Sequence, residues 1–290
     1  MTMNSNAPTA EDYRKRRAVW LLVVLLPLSI LSVVRAVRTI SSAAEPIDTA
    51  RPKRLIERDG RRYLFGGERE EQHFDVTEFR LEHEGLHYGL GREAFPALIA
   101  PTFQNGEKAS QWLHDHDKVL TVNIGDTVRV YPVRLLTRHE VVNDTVEGVP
   151  IFAAYCVLAD LGAIYDRRVG GHTLTFGVAG YTYADPDVWD GRDTFVLWDR
   201  ESESLWWPPI GRAVAGPLID RPLPLLDERS WSQSTWGASR HRFPSAQVLA
   251  PGQRFTPPEH WPRLRREDFT PDSSKDAKIA PRWSESATAR

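Results

Sequence analysis

Residues 118–131 read KVLTVNIGDTVRVY, and this stretch decides the fold class. Two runs rich in β-branched residues, 118–124 and 127–131, flank Gly125-Asp126. A two-residue loop that begins with glycine is typical of a type II′ turn, which joins antiparallel strands. The stretch therefore predicts a β-hairpin.

The chain after this hairpin continues the same pattern. Residues 132–140 begin with proline and place apolar residues on one side, which predicts one short helix. Further β-rich runs are predicted at 149–155, 163–168, 172–178, 194–199 and 204–207. Short strands with Gly and Pro between them, and only brief helices, predict a mainly β or α+β domain of antiparallel sheets.

Composition excludes several classes of protein. The chain has 290 residues, 41% hydrophobic and 26% charged, which suits one globular domain with appendages. Lys and Arg number 37 against 39 Asp and Glu, a net charge of −2, so we expect no nucleic-acid partner. Cys156 is the single cysteine, which excludes an intramolecular disulfide and a multi-cysteine metal cage.

An N-terminal apolar run predicts a membrane anchor. Residues 18–34 carry no charge and are just long enough to cross a bilayer as a helix. The basic cluster at 14–17 should stay in the cytoplasm by the positive-inside rule. We therefore expect a cytoplasmic N-terminus at 1–17, a single span at 18–38 and a main domain that is periplasmic or extracellular. A removable signal peptide, with a cleavage site at 42–44, is the alternative.

The remaining boundaries follow from changes in composition. Residues 39–60 turn to Ser, Ala, Pro and charge, as expected of a tether between the membrane and a domain. The β-rich domain is predicted over 61–250. Residues 251–290 combine several prolines with mixed charge, which predicts an extended or disordered tail.

One polar motif is close to a known metal-binding pattern. His139-Glu140-Val-Val-Asn143 differs by one residue from the zinc-protease pattern His-Glu-x-x-His, in which the second histidine binds zinc. The amide of Asn143 is a poor zinc ligand, which disfavours a metalloprotease. His139 remains a candidate metal ligand or acid/base group beside Cys156. Alternatively, His139, Asn143 and Asp144 cap the helix and satisfy backbone groups of the following turn.

Each of the other candidate residues has a structural explanation as well as a functional one, and the structural explanation is the simpler. Asp166 and Arg167 can form an ion pair at a strand end or line a polar site. Trp206 is one of ten tryptophans, which serve either core packing or stacking against a ring ligand. The full set of candidate site residues is His139, Glu140, Asn143, Asp144, Tyr155, Cys156, Asp166, Arg167, Asp199 and Trp206.

A series of motifs resembles one bacterial and archaeal family. The motifs are 95–98 (FPAL), 139–150 (HEVVNDTVEGVP), 155–156 (YC), 165–167 (YDR), 174–180 (LTFGVAG), 198–206 (WDRESESLW) and 211–218 (GRAVAGPL). From about residue 95 to about residue 249, the chain is similar to the family called domain of unknown function 3179. The resemblance implies no activity, because that family has no established reaction.

The chain departs from the family at one motif. Family members typically resemble Tyr-Cys-Pro-Leu-Cys, whereas residues 155–159 read YCVLA. Two cysteines at this spacing form a redox-active disulfide or give two thiolates to one metal ion, and Ala159 can do neither. We therefore expect a degenerate thiol or metal site around Cys156. A transition metal is the cofactor that such a site would take, with His139 and Cys156 as ligands.

Two other functions stay open. The domain can be a non-catalytic module that binds a small molecule or a protein, which an aromatic-lined concave patch away from Cys156 would favour. It can also be a hydrolase that uses His139, Glu140 and Asp166, which requires these side chains to converge within hydrogen-bond reach.

Overall fold

β-Strands dominate the part of the chain that the computed structural model describes, which is residues 55–189, 192–254 and 261–271. In chain order the strands are β1 Leu55–Arg58, β2 Arg61–Leu64, β3 Phe74–Asp75, β4 Leu86–Tyr88, β5 Leu98–Ile99, β6 Phe103–Asn105, β7 Lys118–Ile124, β8 Thr127–Pro132, β9 Val141–Val146, β10 Val149–Cys156, β11 Leu161–Asp166, β12 Arg168–Val169, β13 His172–Thr173, β14 Phe176–Tyr183, β15 Thr194–Asp199, β16 Leu205–Trp207, β17 Arg212–Ala215, β18 Trp231–Thr235 and β19 Gln247–Leu249. The α-helices are α1 Gly106–Ala109, α2 Val133–His139 and α3 Trp236–Arg242, and 3-10 turns occupy Glu70–Gln72, His83–Gly85, Pro208–Ile210, Glu228–Ser230 and Arg266–Asp268.

Among the described residues these strands form four sheets and a two-stranded ribbon, β12-β13. Sheet A has the order β1-β2-β3, sheet B β17-β16-β15-β14-β4, sheet C β11-β10-β9-β5, and sheet D β18-β7-β8-β19-β6. All of the neighbouring strands are antiparallel except the pairs β5-β9 and β8-β19. The prediction of a β-rich domain with antiparallel sheets and short helices is confirmed.

The predicted hairpin and helix are both present. Ile124 pairs with Thr127 across the loop between β7 and β8. Gly125 has a φ of 57°, a left-handed conformation that glycine adopts without strain. Directly after β8, α2 begins at Val133, where the preceding Pro132 is compatible with the start of a helix.

Sheet C lies between sheets B and D. Along β10, Phe152, Ala154 and Cys156 pack with sheet B, whereas the residues between them pack with sheet D. Successive side chains of a strand point to opposite faces, so both faces of this sheet are covered. This explains why β10 reads VPIFAAYC and does not alternate between apolar and polar residues.

The outer faces of sheets B and D are also covered. Sheet A packs on sheet B, where the Phe74 ring lies 5.8 Å from the Trp198 ring in an edge-on arrangement. Trp236 of α3 packs with Val119 and Val130 on the outer face of sheet D. The order of layers is therefore α1 and α3, sheet D, sheet C, sheet B and sheet A, whereas α2 packs in the core between sheets C and D.

The segment that follows α2 differs from one expectation. One of the two interpretations of the sequence has Asn143 and Asp144 capping the helix and the turn after it, but they lie within β9, paired with β10. The apolar residues on either side of this polar pair, Val141, Val142 and Val146, are fully buried and favour a strand.

Residues 261–271 pack onto the domain. Phe269 is buried in the core shared by sheets B and C, and the Thr270 amide donates to the Gly170 carbonyl oxygen at 2.9 Å. This segment falls within the stretch for which the sequence predicts a tail. Residues 255–260 and 272–290 lie outside the described residues.

The segment that is predicted to cross a membrane lies outside the residues that the structure describes. No helix in the described ranges is long and apolar enough to cross a membrane. The predicted span at 18–38 lies outside those ranges, as does most of the predicted tether; β1 begins at Leu55.

Candidate functional site

Cys156 ends β10 and is almost completely buried, with 3% of its surface exposed. Burial raises the pKa of the Cys156 thiol, and the nearby Glu140 carboxylate raises it further. The backbone N–H groups of Ala159, Phe195 and Leu158 act in the opposite direction, because they favour the thiolate. The turn after β10, together with Phe195 of β15, therefore partly offsets the cost of a buried negative charge at the sulfur.

A small apolar pocket opens beside Cys156, between sheets B and C. Its lining residues are Ala154, Cys156, Leu161, Ala163, Tyr165, Trp189, Thr194, Phe195, Pro208 and Pro209. The Thr194 hydroxyl is already engaged, because it accepts a hydrogen bond from Trp207 Nε1 at 2.6 Å. The pocket thus presents aromatic and aliphatic surface, with the thiol in its wall. It is aromatic-lined but includes Cys156, so it is not the patch away from Cys156 that would favour a binding module.

Two exposed apolar residues stand at the turn between β10 and β11. Val157 is 44% and Leu158 is 49% exposed. The other side of the same turn is polar: the Tyr155 hydroxyl donates to the Asp160 carboxylate, which also pairs with Lys118. These contacts fix the turn while leaving its apolar tip in solvent.

Glu140 lies at the junction of α2 and β9. Its φ of 55° is uncommon for a residue other than glycine. Its amide donates to the Leu136 carbonyl oxygen at 2.6 Å, and its own carbonyl oxygen accepts from the Tyr155 amide at 2.9 Å. The second bond places Glu140 beside the end of β10.

Glu140 is 8% exposed, and no hydrogen bond from the described residues reaches its carboxylate. Burial raises its pKa to about 7. The carboxylate oxygens are nevertheless not fully buried, so water can hydrogen-bond to them.

His139 is directed at the backbone. Its Nδ1 lies 2.8 Å from the Pro96 carbonyl oxygen. The charged group that raises the pKa of the Cys156 thiol is Glu140. Residues 55–189, 192–254 and 261–271 contain no group of three or more His, Cys, Asp and Glu side chains that could hold a metal ion.

Asn143 and Asp144 both have structural partners. Asn143 Nδ2 donates to the Phe176 carbonyl oxygen, and its Oδ1 accepts from the Phe176 amide, both at 2.8 Å. This pair of bonds ties sheet C to sheet B. Asp144 accepts from the Tyr131 hydroxyl at 2.7 Å, and burial raises the pKa of both groups.

Asp199 and Trp206 belong to one buried network. Trp206 Nε1 donates to Asp199 at 2.8 Å, and the Ser202 amide donates to the same carboxylate at 2.6 Å. Burial raises the pKa of Asp199 to about 7, although these donors oppose it. The network closes the loop between β15 and β16.

No hydrogen bond joins the side chains of Asp166 and Arg167. Asp166 accepts from Arg168 Nε at 2.9 Å, whereas Arg167 Nη1 donates to the Leu174 carbonyl oxygen at 3.2 Å. In the described part of the chain, no hydrogen bond joins Asp166 to His139 or Glu140, the other members of the expected hydrolase set.

A charged cluster near sheet A was not anticipated from the sequence. Arg92 and Arg263 each pair with Glu203 at 2.6 Å, and Arg200 pairs with Glu93 at 2.6 Å. The residues come from three distant segments, so no local pattern marks them. Only the alternating charges of 198–206 (WDRESESLW) hint at a polar loop.

Comparison with known proteins places the chain in a family and gives no activity. No curated protein and no solved structure matches it. The family model described as "Protein of unknown function (DUF3179)" matches residues 92–261, which is more than half of the chain and includes the whole pocket lining. The chain therefore belongs to the DUF3179 family of proteins of unknown function.

Proposed function

We propose that the β-rich domain is a non-catalytic binding module whose pocket beside Cys156 receives a small apolar group of a ligand or partner. The observation that carries the proposal is the lining of that pocket. Trp189, Phe195 and Leu161 meet there with two prolines, and the Thr194 hydroxyl is already bonded to Trp207.

The apolar lining of the pocket supports a binding function. An apolar wall offers water few hydrogen bonds, so an apolar group displaces water from it at little cost. The exposed Val157 and Leu158 extend the apolar surface next to the pocket. A ligand with an apolar end can therefore contact both the pocket and the turn.

Xenon is a suitable first probe, because it is small and binds apolar pockets. We expect NMR shifts of residues around Ala163 on addition of xenon to the wild-type domain. Leu161→Trp should abolish these shifts by filling the mouth of the pocket. Leu90→Trp is the matched control, because Leu90 is 66% exposed and does not line the pocket. Absence of shifts in the wild type would contradict the proposal.

A thiol or metal site around Cys156 is the second candidate function. The backbone N–H groups of Leu158 and Ala159 near the sulfur favour it, because they stabilise a thiolate ligand. Elemental analysis of protein purified without an affinity tag tests it. We expect stoichiometric zinc, copper or iron that Cys156→Ser removes. Metal-free protein whose Cys156→Ser variant behaves like the wild type would exclude this function.

We further propose that the domain acts outside the cytoplasm, held by the apolar segment at 18–38. The uncharged run and the basic cluster at 14–17 support this topology. Alkaline phosphatase fused after residue 54 should be active and remain with the membrane fraction. An inactive fusion would contradict the topology, and active but soluble fusion would indicate a cleaved signal peptide.

A further inference from the structure

We infer that His114 and His116 form an exchangeable surface site for a divalent transition-metal ion, with Cu²⁺ as the ion that it holds most tightly. The two residues lie in the segment between α1 and β7, next to sheet D, whereas the pocket beside Cys156 opens between sheets B and C. The inference therefore goes beyond the proposed function and does not depend on it.

The two imidazole rings lie close together. Residues 114–117 read HDHD, and the ring centres of His114 and His116 are 5.7 Å apart, with the ring planes inclined at 56°. A metal–nitrogen bond of about 2.0–2.1 Å places each ring centre about 3.2 Å from a bound ion, so two ligand rings lie about 4.5–6.4 Å apart. The observed separation falls within this range, so both rings can bind one ion.

These two rings differ from most of the other histidines. Five histidines in the described ranges have a ring nitrogen within hydrogen-bond distance of a protein atom, namely His73, His83, His87, His139 and His172. Within the same ranges, the hydrogen bond of His114 is made by its amide, and no hydrogen bond reaches the ring of His114 or His116. Both residues are exposed, so their ring nitrogens are available to an ion from solvent.

The backbone of the turn holds the two histidines in place. The Asp117 amide donates to the His114 carbonyl oxygen at 2.9 Å, and the His114 amide donates to Asp117 Oδ2 at 2.8 Å. The Trp236 amide, at the start of α3, donates to the Asp117 carbonyl oxygen at 2.8 Å. The Gly237 amide donates to the Asp115 carbonyl oxygen at 2.9 Å. A turn that is fixed before the ion arrives lowers the entropic cost of binding it with two side chains.

The chemistry of the donors selects the class of ion. The carboxylate of Asp115 pairs with Arg240 at 2.8 Å, and that of Asp117 accepts from the His114 amide, so the two imidazoles are the ligands. Imidazole suits copper, zinc and nickel, whereas magnesium and calcium prefer oxygen ligands, and Cu²⁺ binds most tightly in the divalent series. Two protein ligands leave the other coordination positions to water, so the ion exchanges more easily than in a closed structural site.

Titration with CuCl₂ tests the inference, by isothermal titration calorimetry on the full chain purified without an affinity tag. The Cys156→Ser background removes the thiol as a competing ligand. We expect a Cu²⁺ site in this background that either His114→Ala or His116→Ala weakens at least about tenfold, because the second imidazole no longer acts at high effective concentration. His241→Ala is the matched control, since it removes an exposed histidine of α3 outside the pair and should leave the affinity unchanged.

Pulsed electron paramagnetic resonance of the Cu²⁺ complex of the wild type gives a second readout, which does not depend on any variant. We expect two imidazole ligands on one ion. A single imidazole, or an affinity that both substitutions in the pair leave unchanged, would overturn the inference, as would an equal loss of affinity in His241→Ala. Xenon binding reports on the pocket alone, so failure of the binding proposal is seen separately from failure of this site.

Discussion

At the scale of the residue, Asn143 shows how far a motif can mislead. The sequence presents it as a failed zinc ligand, whereas its amide binds both backbone groups of Phe176. Phe176 lies far along the chain, so no local pattern could reveal the partnership. The same holds for Asp199, where the sequence marks the residue but the network with Ser202 and Trp206 depends on the fold of the loop.

Replacement of Asn143 tests this role. Asn143→Ala leaves the Phe176 amide and carbonyl buried without partners, and each unsatisfied group costs about 1–3 kcal/mol. We expect the free energy of unfolding, measured by urea denaturation, to fall by about 2–4 kcal/mol. Asn123→Ala, at an exposed position of β7, should change it by less than about 0.5 kcal/mol. A loss at Asn143 no larger than at Asn123 would contradict the assignment.

Glu140 gives a prediction about pH. Burial raises its pKa from an ordinary value of 4.5 to about 7, so the folded state keeps a proton that the unfolded state releases within this window. The free energy of unfolding therefore falls as pH rises from about 4.5 to 7. Glu140→Gln should remove up to about 3 kcal/mol of this fall in urea denaturation. Asp199 titrates in the same window in the wild type and in Glu140→Gln, so the difference between their free energies of unfolding reports on Glu140 alone. Parallel pH profiles of the two proteins would disprove the raised pKa of Glu140.

At the scale of the element, local pattern predicts the parts of the fold that local chemistry determines. The loop at Gly125 and the proline before α2 are such signals, and both elements are confirmed. β9 is different, because its buried Asn143 and Asp144 read as turn residues until their partners are known. The pocket could not be predicted at all, since β10, β11, β15 and two loops contribute to it.

The segment 261–271 is an element that composition alone does not reveal. Phe269 is 4% exposed and contacts Gly170 and the ring of His172. Phe269→Ala should lower the free energy of unfolding by about 3 kcal/mol in urea denaturation, because a buried aromatic is lost. Leu225→Ala is the control, since Leu225 is 40% exposed. Equal effects of the two substitutions would mean that the segment does not stabilise the domain.

At the scale of the whole molecule, the stacking of the sheets explains where the candidate site lies. Sheet C is covered on both faces, by sheets B and D. A residue at the end of β10 is therefore buried, except where a gap opens between two sheets. Cys156 occupies such an end, where the pocket opens between sheets B and C. The site therefore combines a core environment with limited access, which a single exposed sheet would not provide.

The layered order also predicts how the domain opens. β10 has hydrogen-bonded neighbours on both edges and packed sheets on both faces, whereas sheet A is a small outer sheet of three short strands. Amides with many buried contacts around them exchange only through global unfolding, and those at the periphery exchange through local opening. In hydrogen exchange followed by mass spectrometry, peptides from 149–156 should therefore exchange at least about 100-fold more slowly than peptides from 55–64. Xenon should leave this order unchanged, because its pocket lies away from sheet A. Equal protection of the two regions would show that sheet A and sheet C unfold as one unit, and that the layers do not differ in stability.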